Sequence, residues 1–143
     1  MNVNFIDRLR ADFPLMYEDG ADVWCDKGWE PIIYHLSSTI QHYIDRSNSR
    51  RQWLIDNKFK DIPEPIEQVK VAQVKEKYGG LRFYYDYGDE FIAGLVEMAE
   101  IWAERTCEVC GEKGSLRGDL PWIRTLCDEH YEQSKVKPVS VGI

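Results

Sequence analysis

The sequence predicts an α+β fold in which helices pack on a β-hairpin and a small module closes the C-terminal end. Three observations carry this. Ile32, Ile33, Leu36, Ile40, Tyr43 and Ile44 recur at helical spacing, with Pro31 acceptable in the first turn of that helix. Two β-rich runs, 69–78 and 81–87, are joined by Gly79-Gly80. Near the C-terminus, Cys107, Cys110, Cys127 and His130 form the pattern C-x2-C-x16-C-x2-H. The expected division is an α+β domain over residues 1–106, a module over 107–135, and a poorly ordered tail over 136–143.

In chain order, residues 2–11 predict a short amphipathic helix carrying Val3, Phe5, Ile6 and Leu9, stopped before Pro14. An acidic, aromatic-containing loop follows over 17–28. Its Glu18, Asp19, Asp22 and Asp26, with Glu30, lack the spacing of a calcium loop, so a solvated loop is expected. The helix over 29–44 then meets the polar stretch 45–51, which either ends it or continues it as a solvated extension through Trp53, Leu54 and Ile55. Pro63 and Pro65 mark a break. After the hairpin, a helix over 88–105 is expected, capped by Asp89, with Phe91, Ile92, Leu95, Val96, Met98, Ala99 and Trp102 as core packing. Glu90, Glu97, Glu100 and Glu104 form its acidic counter-face. Because this helix runs directly into Cys107, rigid coupling to the C-terminal module is expected.

Four soft or borderline ligands in two pairs, each pair two residues apart, suit tetrahedral zinc. A tight turn aims Cys107 and Cys110 at one ion, with Gly111 supplying a position tolerant of positive φ. Cys127 and His130 open a polar, helix-like stretch that places both on one face. Protein fills all four positions, so one structural zinc ion is expected, folding a segment with too few apolar residues to hold itself together (Leu116, Leu120, Trp122, Ile123, Leu126). The order knuckle, glycine-interrupted hairpin, helix resembles a treble-clef zinc finger. The nuclease version of that frame needs a second histidine on the hairpin, and residues 111–126 contain none.

The remaining constellations are weaker. His35 and His42 share one helical face without a cysteine or a carboxylate at ligand spacing, and partly buried polar edges of the helix are expected. Cys25 stands outside the metal pattern beside Trp24 and is expected as a small buried or half-buried hydrophobe. No phosphate-binding glycine loop, nucleophile elbow or Ser/His/Asp arrangement is present, and no enzyme is expected. No apolar run reaches membrane-spanning length, the N-terminus lacks signal-peptide character, and three metal-binding cysteines suit a reducing cytoplasm.

Net charge is −7, which opposes bulk nucleic-acid binding. The charge is uneven: −3 over 1–66, +1 over 67–87, −4 over 88–106 and −1 over 107–143. With Gly79-Gly80 as a two-residue turn, Tyr78 faces Leu81, Lys77 faces Arg82, Lys75 faces Tyr84 and Val74 faces Tyr85. Alternation then lines one face with Val74, Tyr78, Leu81, Phe83 and Tyr85, with Glu76 the odd member, and collects Lys75, Lys77, Arg82 and Tyr84 on the other. Three cations beside an aromatic need compensation, either from an anionic partner or from acidic residues of the following helix. Arg117 and Arg124 are expected to extend this patch onto the zinc module.

The run Val74-Lys75-Glu76-Lys77-Tyr78-Gly79-Gly80-Leu81-Arg82-Phe83-Tyr84, the ending Cys107-Glu108-Val109-Cys110-Gly111 with Thr125-Leu126-Cys127-Asp128-Glu129-His130, and the earlier Gly28-Trp29-Glu30-Pro31-Ile32-Ile33 resemble small zinc-knuckle proteins of bacteriophage and prophage genomes. The resemblance reaches from Gly28 to His130, leaving out the stretch around 45–65. It implies a bacterial cytoplasm and work during infection, and transfers no activity. The leading expectation is a non-catalytic accessory protein that binds a host or phage protein, for example in anti-defence. The alternative is a site- or structure-selective nucleic-acid-binding regulator, or a binder of a small anionic nucleotide, using Lys75, Lys77, Arg82 and Tyr84. A homodimer is plausible from the five Trp and eight Tyr of a small chain.

Overall fold

The computed structural model describes residues 3–18 and 20–135; the expected tail over 136–143, the side chain of Val3 and Asp19 lie outside them. It is α+β, with helices α1 (Val3–Asp12), α2 (Glu30–Asp56), α3 (Glu90–Ala103) and α4 (Asp128–Lys135). One sheet holds β1 (Asp22–Trp24), β2 (Lys70–Lys77) and β3 (Gly80–Asp86) in that order; a second pairs β4 (Ser115–Arg117) with β5 (Arg124–Leu126).

The helix stripes do their expected work at the core. Phe5, Ile6 and Leu9 of α1 join Ile32, Ile33, Leu36, Ile40 and Ile44 of α2 in one buried cluster with Val71, Val74, Leu81 and Phe83 of the sheet. Helix α2 does not stop at the polar stretch 45–51 but continues to Asp56, and Trp53 near its end meets Phe59 just beyond it, two exposed rings tilted 38° with centroids 5.5 Å apart. The extension has a use: Asn48 accepts from the Ile66 amide (2.8 Å) and donates to its carbonyl (3.0 Å), while Arg51 donates to the Pro63 carbonyl (2.8 Å). These bonds strap the extended segment with Pro63 and Pro65 onto the helix, satisfying backbone that no strand pairs.

The acidic loop contains a strand that its composition hides. β1 runs parallel to β2, pairing Val23 with Val74, and buries only Val23. A strand of three residues has too little pattern to read. Glu18 and Asp26 are not simply solvated either, since they pair with Lys70 and Arg124.

The hairpin turn falls one residue earlier than Gly79-Gly80 suggests. Tyr78 (φ 53°) and Gly79 (φ 82°) form the loop, so Lys77 pairs with Gly80, Lys75 with Arg82 and Val74 with Phe83. Tertiary contact outweighs the cost of left-handed backbone at a tyrosine, because Gly79 packs where a Cβ would lie 2.5 Å from Leu116 Cδ1. Shifting both ends of the loop together keeps each residue's parity, so Val74, Leu81, Phe83 and Tyr85 still share the inner face. Tyr78 does not: it stands in the turn, 72% exposed. An irregularity between Val71 and Gln73 returns Val71 to the inner face opposite Tyr85.

Helix α3 begins as expected, Asp89 accepting from the Ile92 amide at 3.1 Å. Its apolar stripe is wider than the core can cover. Ile92, Val96, Ala99 and Ala103 are buried, whereas Phe91, Met98, Ile101 and Trp102 are exposed. Glu100 accepts from the Phe83 amide at 3.0 Å, capping part of the open edge of β3. Among the described residues, no helix is long and apolar enough to cross a membrane.

Candidate metal centre

The four ligand residues converge. Cys107, Cys110, Cys127 and His130 bring one ligand atom each within 4.8 Å of one another. Cys110 Sγ lies 3.8 Å from Cys127 Sγ, and Cys107 Sγ lies 3.6 Å from His130 Nδ1. A tetrahedron with metal–sulfur bonds of about 2.3 Å and metal–nitrogen bonds of about 2.0–2.1 Å has edges of about 3.8 Å and about 3.6 Å. The Cys127 Sγ to His130 Nδ1 edge is tighter, at 3.1 Å. The donors fit a metal ion.

Local backbone chemistry aims each ligand. In the knuckle, the Gly111 amide donates to the Cys107 carbonyl (2.9 Å) and the Glu112 amide to Cys110 Sγ (3.4 Å). Gly111 has φ +85°, the conformation its place in the turn required. Cys127 sits immediately before α4 and its sulfur accepts from the His130 amide at 3.4 Å, the geometry of a helix cap. One residue therefore caps the helix and presents the ligand. Burial pushes the Cys107 thiol up, but hydrogen bonds from the amides of Cys127, Cys110 and Val109 outweigh it and bring it down to about 6.

Several hydrogen bonds join the module to the rest of the chain. Trp29 Nε1 donates to the Thr106 carbonyl at 2.8 Å, and the Gly28 amide donates to the Glu108 carbonyl at 2.7 Å. The Glu108 side chain, buried, accepts from the Asp26 amide at 3.2 Å and lies 3.7 Å from Arg124. Burial pushes its carboxyl up to about 7, with Asp26 and Glu76 adding to the rise and the Asp26 amide and Arg124 opposing it. Finally, Thr125 Oγ1 donates to the Gly79 carbonyl at 2.6 Å, locking the β2–β3 turn onto β5.

That lock redistributes the expected anion-binding residues. Arg117 is occupied: it donates to the Leu126 carbonyl (3.1 and 3.2 Å) and to Asp128 (2.8 Å), and lies over Tyr131. Arg124 is occupied by Asp26 at 2.8 Å and by Glu108. Arg117 holds the module together, Arg124 also ties it to the rest of the chain, and both leave the patch. Lys75, Lys77, Arg82 and Tyr84 remain on the outer face of the hairpin, with Lys75 5.8 Å over the Tyr84 ring and Lys77 5.8 Å over Tyr78. Among the described residues, no carboxylate of α3 forms an ion pair with these cations.

Two hollows open beside the turn, both bordered by Tyr78. One, about 420 Å³, is lined by Lys75, Glu76, Lys77, Tyr78, Pro121, Trp122 and Ile123. Trp122 is 72% exposed. The other, about 560 Å³, brings Arg82 together with Arg105 and Lys113, two cations that sequence spacing did not associate with the hairpin. His35 and His42, expected as partly buried polar edges of α2, are instead both exposed, on the side of the helix turned away from the core. Cys25 is half-buried against the core, as expected.

No family model matches the chain, and no curated protein or solved structure matches it significantly.

Proposed function

We propose that this is a zinc-stabilised, non-catalytic protein of phage type whose hairpin tip and metal module together bind single-stranded nucleic acid. Zinc is the ion that a Cys3His set with tetrahedral edges suits, and a fully protein-filled shell suits a structural ion. The order of knuckle, β4–β5 hairpin and α4 supports a treble-clef arrangement. The observation that carries the nucleic-acid assignment is the hollow lined by Lys75, Lys77, Tyr78 and Trp122, with the Lys77 ammonium 5.8 Å from the Tyr78 ring and both rings exposed. Cations that track a backbone and aromatics on which bases stack are the two components of single-strand recognition. A net charge of −7 keeps this selective, because the remainder of the surface repels polyanions.

The test is a fluorescence titration of the zinc-loaded protein with short single-stranded and duplex DNA and RNA at low and moderate salt. Saturable quenching by single strands, weakening with salt and lost in Lys75→Glu/Lys77→Glu/Trp122→Ala, is expected. Absence of binding at low salt, where attraction is strongest, overturns the assignment.

A protein partner has its own support. Between α2 and α3 lies an apolar hollow lined by Leu36, Leu95, Met98 and Trp102, with Met98 65% exposed and Trp102 48% exposed. Uncovered apolar surface of this kind marks protein contacts. Light scattering decides whether the occupant is a second copy: a dimer abolished by Met98→Glu makes the protein a homodimer, and a monomer leaves the face to a host or phage protein.

A further inference from the structure

We infer that the junction between the hairpin turn and the metal knuckle is a phosphate-binding pocket formed by Arg82, Arg105 and Lys113. The pocket shares Tyr78 with the strand-binding hollow but none of that hollow's cations, and it does not depend on that assignment.

Its construction follows from the metal centre. Cys107 and Cys110 on one ion close the loop 107–114 back on the end of α3. The Cys107 amide donates to the Glu112 carbonyl (2.7 Å), the Gly114 amide to the Arg105 carbonyl (2.9 Å), and Thr106 bridges to Lys113. Closure therefore carries Lys113 back to Arg105, eight residues earlier in the chain. The Thr125–Gly79 bond brings the hairpin turn, and with it Arg82, to the same cavity of about 560 Å³.

Three cations line that cavity against a single carboxylate, Glu104. Among the described residues none of the three makes an ion pair, and the Arg82 guanidinium has only the neighbouring Leu81 carbonyl at 3.3 Å. In a chain with seven more acidic than basic residues, cations gathered without counter-ions point to an anion from outside. Gly79, Gly80, Gly114 and Ser115 complete the lining, and the Ser115 hydroxyl makes no hydrogen bond among the described residues. Two guanidinium groups and an ammonium match the oxygens of a phosphate or diphosphate. The Tyr78 ring at the rim can stack on an attached base.

Inorganic pyrophosphate, titrated into the zinc-loaded full chain at low salt and followed by amide NMR, tests the pocket. Saturable shifts of the Gly79, Gly80, Gly114 and Ser115 amides are expected, with binding weakened at least tenfold in Arg105→Gln/Lys113→Gln and unchanged in Arg46→Gln/Arg50→Gln on the exposed face of α2. No saturable shift, shifts confined to other amides, or a double variant at Arg105 and Lys113 that binds like the parent overturns it. ADP bound more tightly than pyrophosphate identifies a free nucleotide as the source; a 5′-phosphorylated oligonucleotide preferred over its unphosphorylated form identifies a strand end. Pyrophosphate binding without any strand binding leaves this pocket standing and removes the nucleic-acid assignment. Strand binding without pyrophosphate binding does the reverse.

Discussion

The Trp29 indole N–H donates to the Thr106 carbonyl over 2.8 Å, joining the start of α2 to the residue before the first metal ligand. Trp29 is fully buried and Thr106 nearly so, so neither group can turn to water instead. Trp29→Phe keeps most of the packing and leaves the carbonyl unpaired. A loss of about 1–3 kcal/mol is expected, read as a lower denaturant midpoint with unchanged slope in the zinc-loaded protein. A variant as stable as the parent shows that the bond contributes nothing.

Gly28 makes the same junction sterically demanding. A Cβ there meets the Cys107 carbonyl oxygen at 2.1 Å and the Glu108 carbonyl oxygen at 2.5 Å. Both are backbone atoms that cannot swing away. Gly28→Ala is expected to cost about 3 kcal/mol, the upper end of overpacking, and to weaken metal retention. Gly94, on the exposed face of α3, meets nothing within 4 Å, so Gly94→Ala should raise stability by about 1 kcal/mol. Opposite signs for two Gly→Ala changes in thermal unfolding check the pair.

Removing the metal should unfold the C-terminal module while leaving the main core assembled. Among the described residues, only Leu126 and two of the ligand cysteines are buried in that module's own apolar cluster, too little to hold it. Against a chelator, Cys107, Cys110 and Cys127 should turn reactive toward a thiol reagent, and the Gly79 amide should lose the ordering imposed through Thr125. Retention of module amide signals in the metal-free protein contradicts this.

Cys25 is held in its neutral form: burial pushes its thiol up to about 12, with Glu108, Glu30 and Asp26 adding to the rise. Alkylation of native, zinc-loaded protein at pH 8 should therefore be slow. The sign for stability follows from linkage. The folded state keeps its proton above the ordinary thiol pKa of 9.0, so stability present below pH 9 falls as pH rises toward 12. Cys25→Ala should flatten that decline in urea midpoints measured from pH 8 to pH 11; an unchanged decline assigns it to other groups.

Periodicity and ligand spacing carried much of this protein in its linear sequence. The stripes of α1 and α2 and the capped start of α3 are local properties, set by which residues recur at helical spacing and which accept from an amide. The convergence of Cys107, Cys110, Cys127 and His130 was equally legible, because two short ligand pairs on one ion leave the backbone few alternatives. What sequence could not fix was set by contacts between distant residues. The turn moved from Gly79-Gly80 to Tyr78-Gly79 because Gly79 is the residue that fits against Leu116 and accepts from Thr125. β1 exists because β2 offers it a parallel partner. Arg117 and Arg124 had the right charge for a binding patch, yet carbonyls and carboxylates of the folded module claimed them, while Arg105 and Lys113 reached the pocket by loop closure. Helix periodicity and ligand spacing are written along the chain; which cations stay unpaired depends on which anions the fold brings within reach, and that is settled only in three dimensions.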